Sequence, residues 1–282
     1  IRYLNPYISL NDADRTAQQL FEYFRELRQL EEEENRAAVA EGFAALDRYN
    51  ESVKRQAREV LDELERENRI GIVVLARPYH NDPGLNHEIL DEFQKIGYPV
   101  FSQDSLPTDP DVLERVFGED IRAGRISHPM EISDVWKNSY SENTSRKVWA
   151  AKYVARHPNL VALELSSFKC GRDAPIYSLV QEIVECAGSP YFSFKDIDEN
   201  KPTGSIKIRV ETIGYFLKRY REEMLDQKRK RRTLQDLMQE YEARLRVALD
   251  RADHSRYSLP LIDGVKADHE PVSIRIPDNV GV

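Results

Sequence analysis

The chain has 282 residues, is 40% hydrophobic and 32% charged, and carries a formal net charge of -8. That length suits one large domain or two modest ones, and the acidic balance excludes general affinity for nucleic acid. No apolar run approaches the roughly 20 residues of a membrane helix, and IRYLNPYISLND is no signal peptide, so no membrane partner is expected.

Asp12 to Glu34 reads as a helix, with Ala17, Leu20, Phe24 and Leu27 three and four apart. A second helix is expected over residues 35–68. Its Val39, Phe43, Leu46, Asn50, Val53, Ala57, Val60 and Leu64 trace the seam of a coiled-coil-like contact, with Asn50 as a polar position that fixes register. The two are expected to form an antiparallel hairpin, a helical arm over residues 1–68 that packs on the core or serves as a dimerisation arm.

At Arg69 the pattern changes. Ile70 to Leu75 is a continuous apolar run, as in a strand buried on both faces. A polar loop over 76–84 follows, then a helix with Leu85, Ile89, Phe93 and Ile96 inward and Gly97 as its cap, then a strand from Tyr98 to Ser102. This is one β-α-β unit with a right-handed crossover. Residues 103–141 read as a long loop with short helices, one of them Asp111 to Phe117.

A helix over Asn143 to His157 leads into a strand at Leu160 to Leu165. The chain then breaks at Ser166-Ser167, presents Cys170-Gly171 and resumes as a helix whose inner face is Ile176, Leu179, Val180, Ile183, Val184 and Ala187. Cys186 is expected to pack beside that face. A fourth strand covers Tyr191 to Ile197, and a helix runs from Ser205 to Asp226. The alternation implies an α/β fold, a Rossmann-like, mainly parallel sheet flanked by helices, over residues 69–226. Residues 227–282 are expected to form a separate charged helix, opened by the solvated basic run Lys228 to Arg232, and an extended tail.

Two loops carry the candidate chemistry. Cys170 follows a strand and precedes a helix start, whose partial positive charge favours a thiolate; a small buried apolar cysteine is the alternative. With Cys186 as the other cysteine there is no disulfide framework, which points to a reducing cytoplasm. The 77–87 loop offers Arg77, His80, His87 and backbone N–H groups, a set suited to an anion. It contains no nucleotide-binding motif, and Asn81 and Asp82 shaping a turn while His80 caps or packs explains it equally. A Cys-dependent hydrolase would draw its base from His80, His87, His128 or His157.

The segments ARPYHNDPGLNHEI, FSQDSLP, WKNSYSENTSRKVWAAKYVARHPNLVALELSSFKCGRDAPIY and DENKPTGSIKIRVETIGYFLKRYRE together resemble a domain of unknown function. It forms the C-terminal region of large bacterial activator proteins of 2-hydroxyacyl-CoA dehydratases. The resemblance runs from Asn5 to about residue 223. That region is similar to the iron–sulfur subunits of 2-hydroxyglutaryl-CoA dehydratase and benzoyl-CoA reductase. In those, Rossmann-like domains hold a [4Fe–4S] cluster and a late Cys-Gly-Pro-Asp loop gives one ligand. Cys170-Gly171-Arg172-Asp173 stands at that position.

The resemblance therefore implies Cys170 as one cluster ligand, with Arg77, Tyr79, His80 and Asn86 lining the facing cleft. Ala76 stands where family members usually have glycine. The family's other cluster cysteines and ATP-binding modules lie upstream of Ile1, and a start at Ile rather than Met fits a fragment. Alone, the chain is expected to bind neither ATP nor a complete cluster. The implied role is ATP-driven, low-potential electron transfer with an ATPase activator as partner and an acyl-CoA as substrate. The alternatives are a docking module for the activator without a cluster, and a Cys-dependent or phosphate-binding enzyme.

Overall fold

The structure, a computed structural model, describes residues 3–28, 30–139, 141–166, 171, 173–194, 197 and 203–256. The chain divides into two compact units, Ile1–Leu225 and Asp226–Val282.

The first unit opens with the expected helical hairpin, α1 (Ala13–Arg28) and α2 (Glu32–Glu67). Buried Asn35 donates through Nδ2 to the carbonyl of Ala17 at 2.7 Å, which pins the start of α2 to the first half of α1. The expected seam holds only in its second half. Leu46 is 54% exposed and Asn50 faces solvent, so Asn50 sets no register. Length explains Asn50: the 16 residues of α1 span about 24 Å, and Asn50 lies about 27 Å along α2 from Glu32, beyond that reach. Further on, Ala57, Leu61 and Leu64 turn buried against the sheet.

Asn68 ends α2 in the left-handed conformation (φ 50°), with the Arg69 N–H donating to the Leu64 carbonyl at 2.9 Å. β1 (Gly71–Leu75) follows at once. Buried Asn159 joins the two elements, its Nδ2 donating to the carbonyls of Leu64 at 3.2 Å and Arg69 at 2.8 Å. At Gly71 a Cβ would stand 2.6 Å from Leu64 and 2.8 Å from Phe101, so only glycine lets the strand enter this closely.

The chain continues through α3 (Pro83–Asn86), α4 (Ile89–Lys95), β2 (Val100–Ser102), α5 (Pro110–Arg122), α6 (Glu142–Arg156), β3 (Leu160–Leu165), α7 (Tyr177–Cys186), β4 (Tyr191–Phe194) and α8 (Thr203–Arg256). The four strands form one parallel sheet in the order β2-β1-β3-β4. Alternate residues of β1 and β3 feed two cores. Val73, Leu75 and Ala162 meet Leu61 of α2, Phe117 of α5, Val148 of α6 and Val180 of α7 on one face. On the other, Ile72, Val74, Val161 and Leu163 meet Phe93 of α4 and Ile206, Val210 and Leu217 of α8. Double burial is why both central strands read as unbroken apolar runs.

Three further expectations change. α5 extends well beyond Asp111–Phe117, to Arg122: the Ala123 N–H donates to the Glu119 carbonyl and the Gly124 N–H to the Ile121 carbonyl, and Gly124 turns the chain away at φ 68°. The expected break near Asp226 does not exist, since α8 runs unbroken to Arg256. Cys186 is exposed rather than packed, lying two residues, or about 200°, round the helix from buried Val184. In the second unit the described part of α8 carries the basic run 228–232 exposed, with Lys230 paired to Asp226 at 2.7 Å. The tail over 257–282 lies outside the described residues.

Candidate functional site

From β1 the chain moves to β2 through α4 on one face of the sheet; from β3 it moves the opposite way to β4 through α7 on the other. The winding therefore reverses between β1 and β3. At such a switch point the loops leaving the strand ends splay apart, and ligands of parallel sheets collect there.

The loop leaving β1 is built from its own polar groups. Pro78–Asn81 forms a 3₁₀ turn in which the His80 N–H donates to the Arg77 carbonyl at 2.9 Å, while the Arg77 N–H donates back to His80 Nδ1 at 3.2 Å. Asp82 Oδ1 accepts from the N–H groups of Gly84 at 2.9 Å and Leu85 at 3.1 Å and so starts α3. Asn86 Nδ2 donates to the His80 carbonyl at 2.9 Å. His80 and Asn86 are buried, and half-exposed Tyr79 lays its ring 4.5 Å from the imidazole. His87 and Glu88 both adopt positive φ, an uncommon pair for residues with side chains.

Arg77 reaches across the switch point. Its Nε and Nη2 donate to Asp173 Oδ1 at 3.0 and 2.6 Å. Lys147, from the second turn of α6, donates to Asp173 Oδ2 at 3.2 Å and to Glu164 Oε1 at 3.3 Å. Tyr191 donates its hydroxyl proton to Glu164 Oε2. Lys147, Glu164 and Asp173 have no solvent exposure at all, and two cations balance two carboxylates. Burial alone would raise the Asp173 carboxyl, but the Arg77 hydrogen bonds and the Lys147 charge outweigh it and hold the group below its usual range. Burial, then the Glu164 charge, drive the Tyr191 phenol far upward, so it stays a donor.

His80 titrates the other way. Burial first, then the charge of Lys147, lower it from 6.5 to about 4, so the imidazole is neutral at pH 7 with its proton on Nε2. A histidine depressed in the folded state destabilises as pH falls, because the unfolded chain takes up a proton from about 6.5 downward while the native one waits until about 4. The parent should lose about 2–3 kcal/mol through this group between pH 7 and 4. Urea unfolding across that window should give a flatter curve for His80→Gln. Parallel curves would remove His80 from the account.

The sequence-derived residues fall into place unevenly. Arg77, His80 and Asn86 come together in one loop, with Tyr79 at its surface. Ser166, fully buried, shares a hydrogen bond between its hydroxyl and that of Tyr177 and donates its N–H to the Phe194 carbonyl at 2.9 Å, while Asp173 is held by Arg77 and Lys147. Both ends of the cysteine loop are thereby tied down; Cys170 itself lies outside the described residues. His157 is no base for it. It precedes β3 and bonds Glu65 at 2.8 Å, about 20 Å of strand from the cysteine end. His128 is exposed and accepts from the Met130 N–H at 3.1 Å. Among the described residues no group of three or more His, Cys, Asp or Glu side chains could hold a metal ion.

Lys147 is the residue that sequence reading missed. Glu164 was its signal, since a carboxylate inside a doubly buried strand needs a cation nearby.

Residues 1–106 match the family model of the CoA enzyme activase uncharacterised domain. The match takes in the hairpin, β1, the Arg77–Asn86 loop and β2, and stops before α5. No curated protein and no solved structure matches the chain.

Proposed function

We propose, from residues 1–106 being the CoA enzyme activase uncharacterised domain, that this region serves an ATP-driven, low-potential electron-transfer system of the acyl-CoA dehydratase type in a reducing cytoplasm. In that reading it contributes Cys170 as one thiolate ligand of a [4Fe–4S] cluster and works with an ATPase activator. A cluster needs about three or four protein ligands, usually thiolates. In this reading Cys170 supplies one of them and the others come from outside this chain. When bound, such a cluster is a one-electron carrier.

The observation that supports the reading is the clamp on Asp173. This residue stands three positions beyond Cys170 and is bonded to Arg77, which belongs to the matched domain. The clamp joins the cysteine loop to the β1 loop at the switch point. With two of its guanidinium nitrogens on Asp173, Arg77 is better spent holding the loop than binding a phosphate.

A docking role without a cluster has its own support. Tyr3, Tyr7 and Leu10, all within the matched residues, are 83%, 91% and 71% exposed. Iron separates the two readings. In the full-length polypeptide, reconstituted anaerobically, Cys170→Ser should lower the iron bound per chain; unchanged iron would leave docking as the function.

A further inference from the structure

In the second unit α8 is exposed at every position from 227 to 250. Leu234, Leu237, Met238, Tyr241, Leu245 and Leu249 are 49–68% exposed there. At roughly 100° per residue these six share one face, an arc of about 120°, and Val247 lies off it. A stripe of that width is what a helix turns toward a packed neighbour. Helices in proteins also draw most of their stability from such packing rather than from propensity.

The spacing within the stripe is that of a two-helix seam. Leu234, Met238, Tyr241, Leu245 and Ala248 alternate four and three apart. They keep the phase of Ile206, Val210, Ile213, Leu217, Tyr220 and Met224, the α8 residues that belong to the first unit's core. Gln227 and Arg231 fill the two steps between the sets. Among the described residues nothing covers the later set. The sequence of 257–282, broken by Pro260, Gly264, Pro271 and Pro277, holds no matching spacing.

We propose that this face pairs antiparallel with the same face of a second copy of the chain. Reversal makes the seam self-complementary. Leu234 then meets Leu245 and Met238 meets Tyr241. Arg231 meets Ala248, whose small side chain lets the arginine stem pass to water. A parallel pair would set each layer on itself, with Arg231 against Arg231 and a void at Ala248. Charge chooses the same direction. Side by side, the basic runs 228–232 of two copies would repel. Reversed, they lie about 28 Å apart along the pair, beyond the screening length of about 8–10 Å. Covering the six apolar side chains in both copies removes on the order of 1,000 Å² from water, enough for a specific interface. The pairing involves no residue of the cysteine loop, so it stands apart from the cluster reading.

Sedimentation equilibrium of the chain under reducing conditions, which keep the exposed Cys186 from cross-linking copies, tests the pairing. The parent should be a dimer with a dissociation constant of about 10 μM or below. Leu234→Asp with Leu245→Asp should raise that constant about 100-fold or more, because each pairing would bury carboxylates in the seam. Both positions are exposed in the single copy, so the thermal midpoint of the α/β unit should not move. A charge exchange reads the direction. Ala248→Arg alone should weaken the dimer about tenfold or more by facing Arg231 of the other copy, and adding Arg231→Glu should restore it. In a parallel pair the same two changes would set like charge on like at both levels and give no rescue. A parent that stays monomeric to about 100 μM would overturn the proposal. So would a dimer that survives the paired aspartates, which would place the contact elsewhere, or failure of Arg231→Glu to rescue Ala248→Arg.

Discussion

Replacing Lys147 with methionine should lower the unfolding free energy by about 3–5 kcal/mol, the usual loss when one partner of a buried ion pair is removed. The ammonium is fully buried and shared by Asp173 and Glu164. Methionine keeps much of the volume but removes the ammonium that Glu164 and Asp173 share, so that among the described residues Arg77 is the cation left beside them. Urea unfolding at pH 7 measures the loss. The deficit should shrink as the pH falls through the carboxylate range, because protonation removes the charge that lost its partner. A deficit under about 1 kcal/mol would mean that Lys147 is dispensable, as a solvated surface pair would be.

Phe117→Ala should be comparably damaging, at about 3–5 kcal/mol, for a different reason. Phe117 is fully buried where α5 meets α6, its ring 6.0 Å from Trp149 and 6.2 Å from Tyr153 between centroids. The Arg156 guanidinium lies 5.6 Å from the same ring and also bonds Asp120. Truncation opens a cavity that the stiff aromatic neighbours fill poorly, and it strips the apolar cover from a partly buried cation. The same urea titration reads it, and a loss near 1 kcal/mol would show that the α5–α6 contact collapses without strain.

These two residues differ in how far the chain announces them. Phe117 lies in a recognisable apolar pattern, as do the doubly buried strands Gly71–Leu75 and Leu160–Leu165, because hydrophobic period is a local property of sequence. Lys147 looks like any helix-surface lysine until β3 and the 173 loop close over it; its role is a contact between residues 17 and 26 positions apart. The length of α8 was legible in retrospect. The basic run at 228–232 looks like a boundary, yet lysine and arginine favour helix and no glycine or proline follows Gly214 before Arg256. Asn50 misled in the opposite way: a heptad spacing was present in α2, but α1 is too short to supply a partner at that level. For the site, residue types gave the Arg77–Asn86 loop, while the clamp from Arg77 to Asp173 needed the parallel order of β1 and β3 to become visible.

The reading that joins these elements is that the loop held between Ser166 and Asp173 presents a thiolate to iron. Iron per polypeptide in the anaerobically reconstituted full-length protein tests it most directly, with Cys170→Ser compared against the exposed Cys186→Ser. Loss of cluster iron in the first and full retention in the second is the expected result. Equal iron in both variants and the parent would contradict the assignment of Cys170.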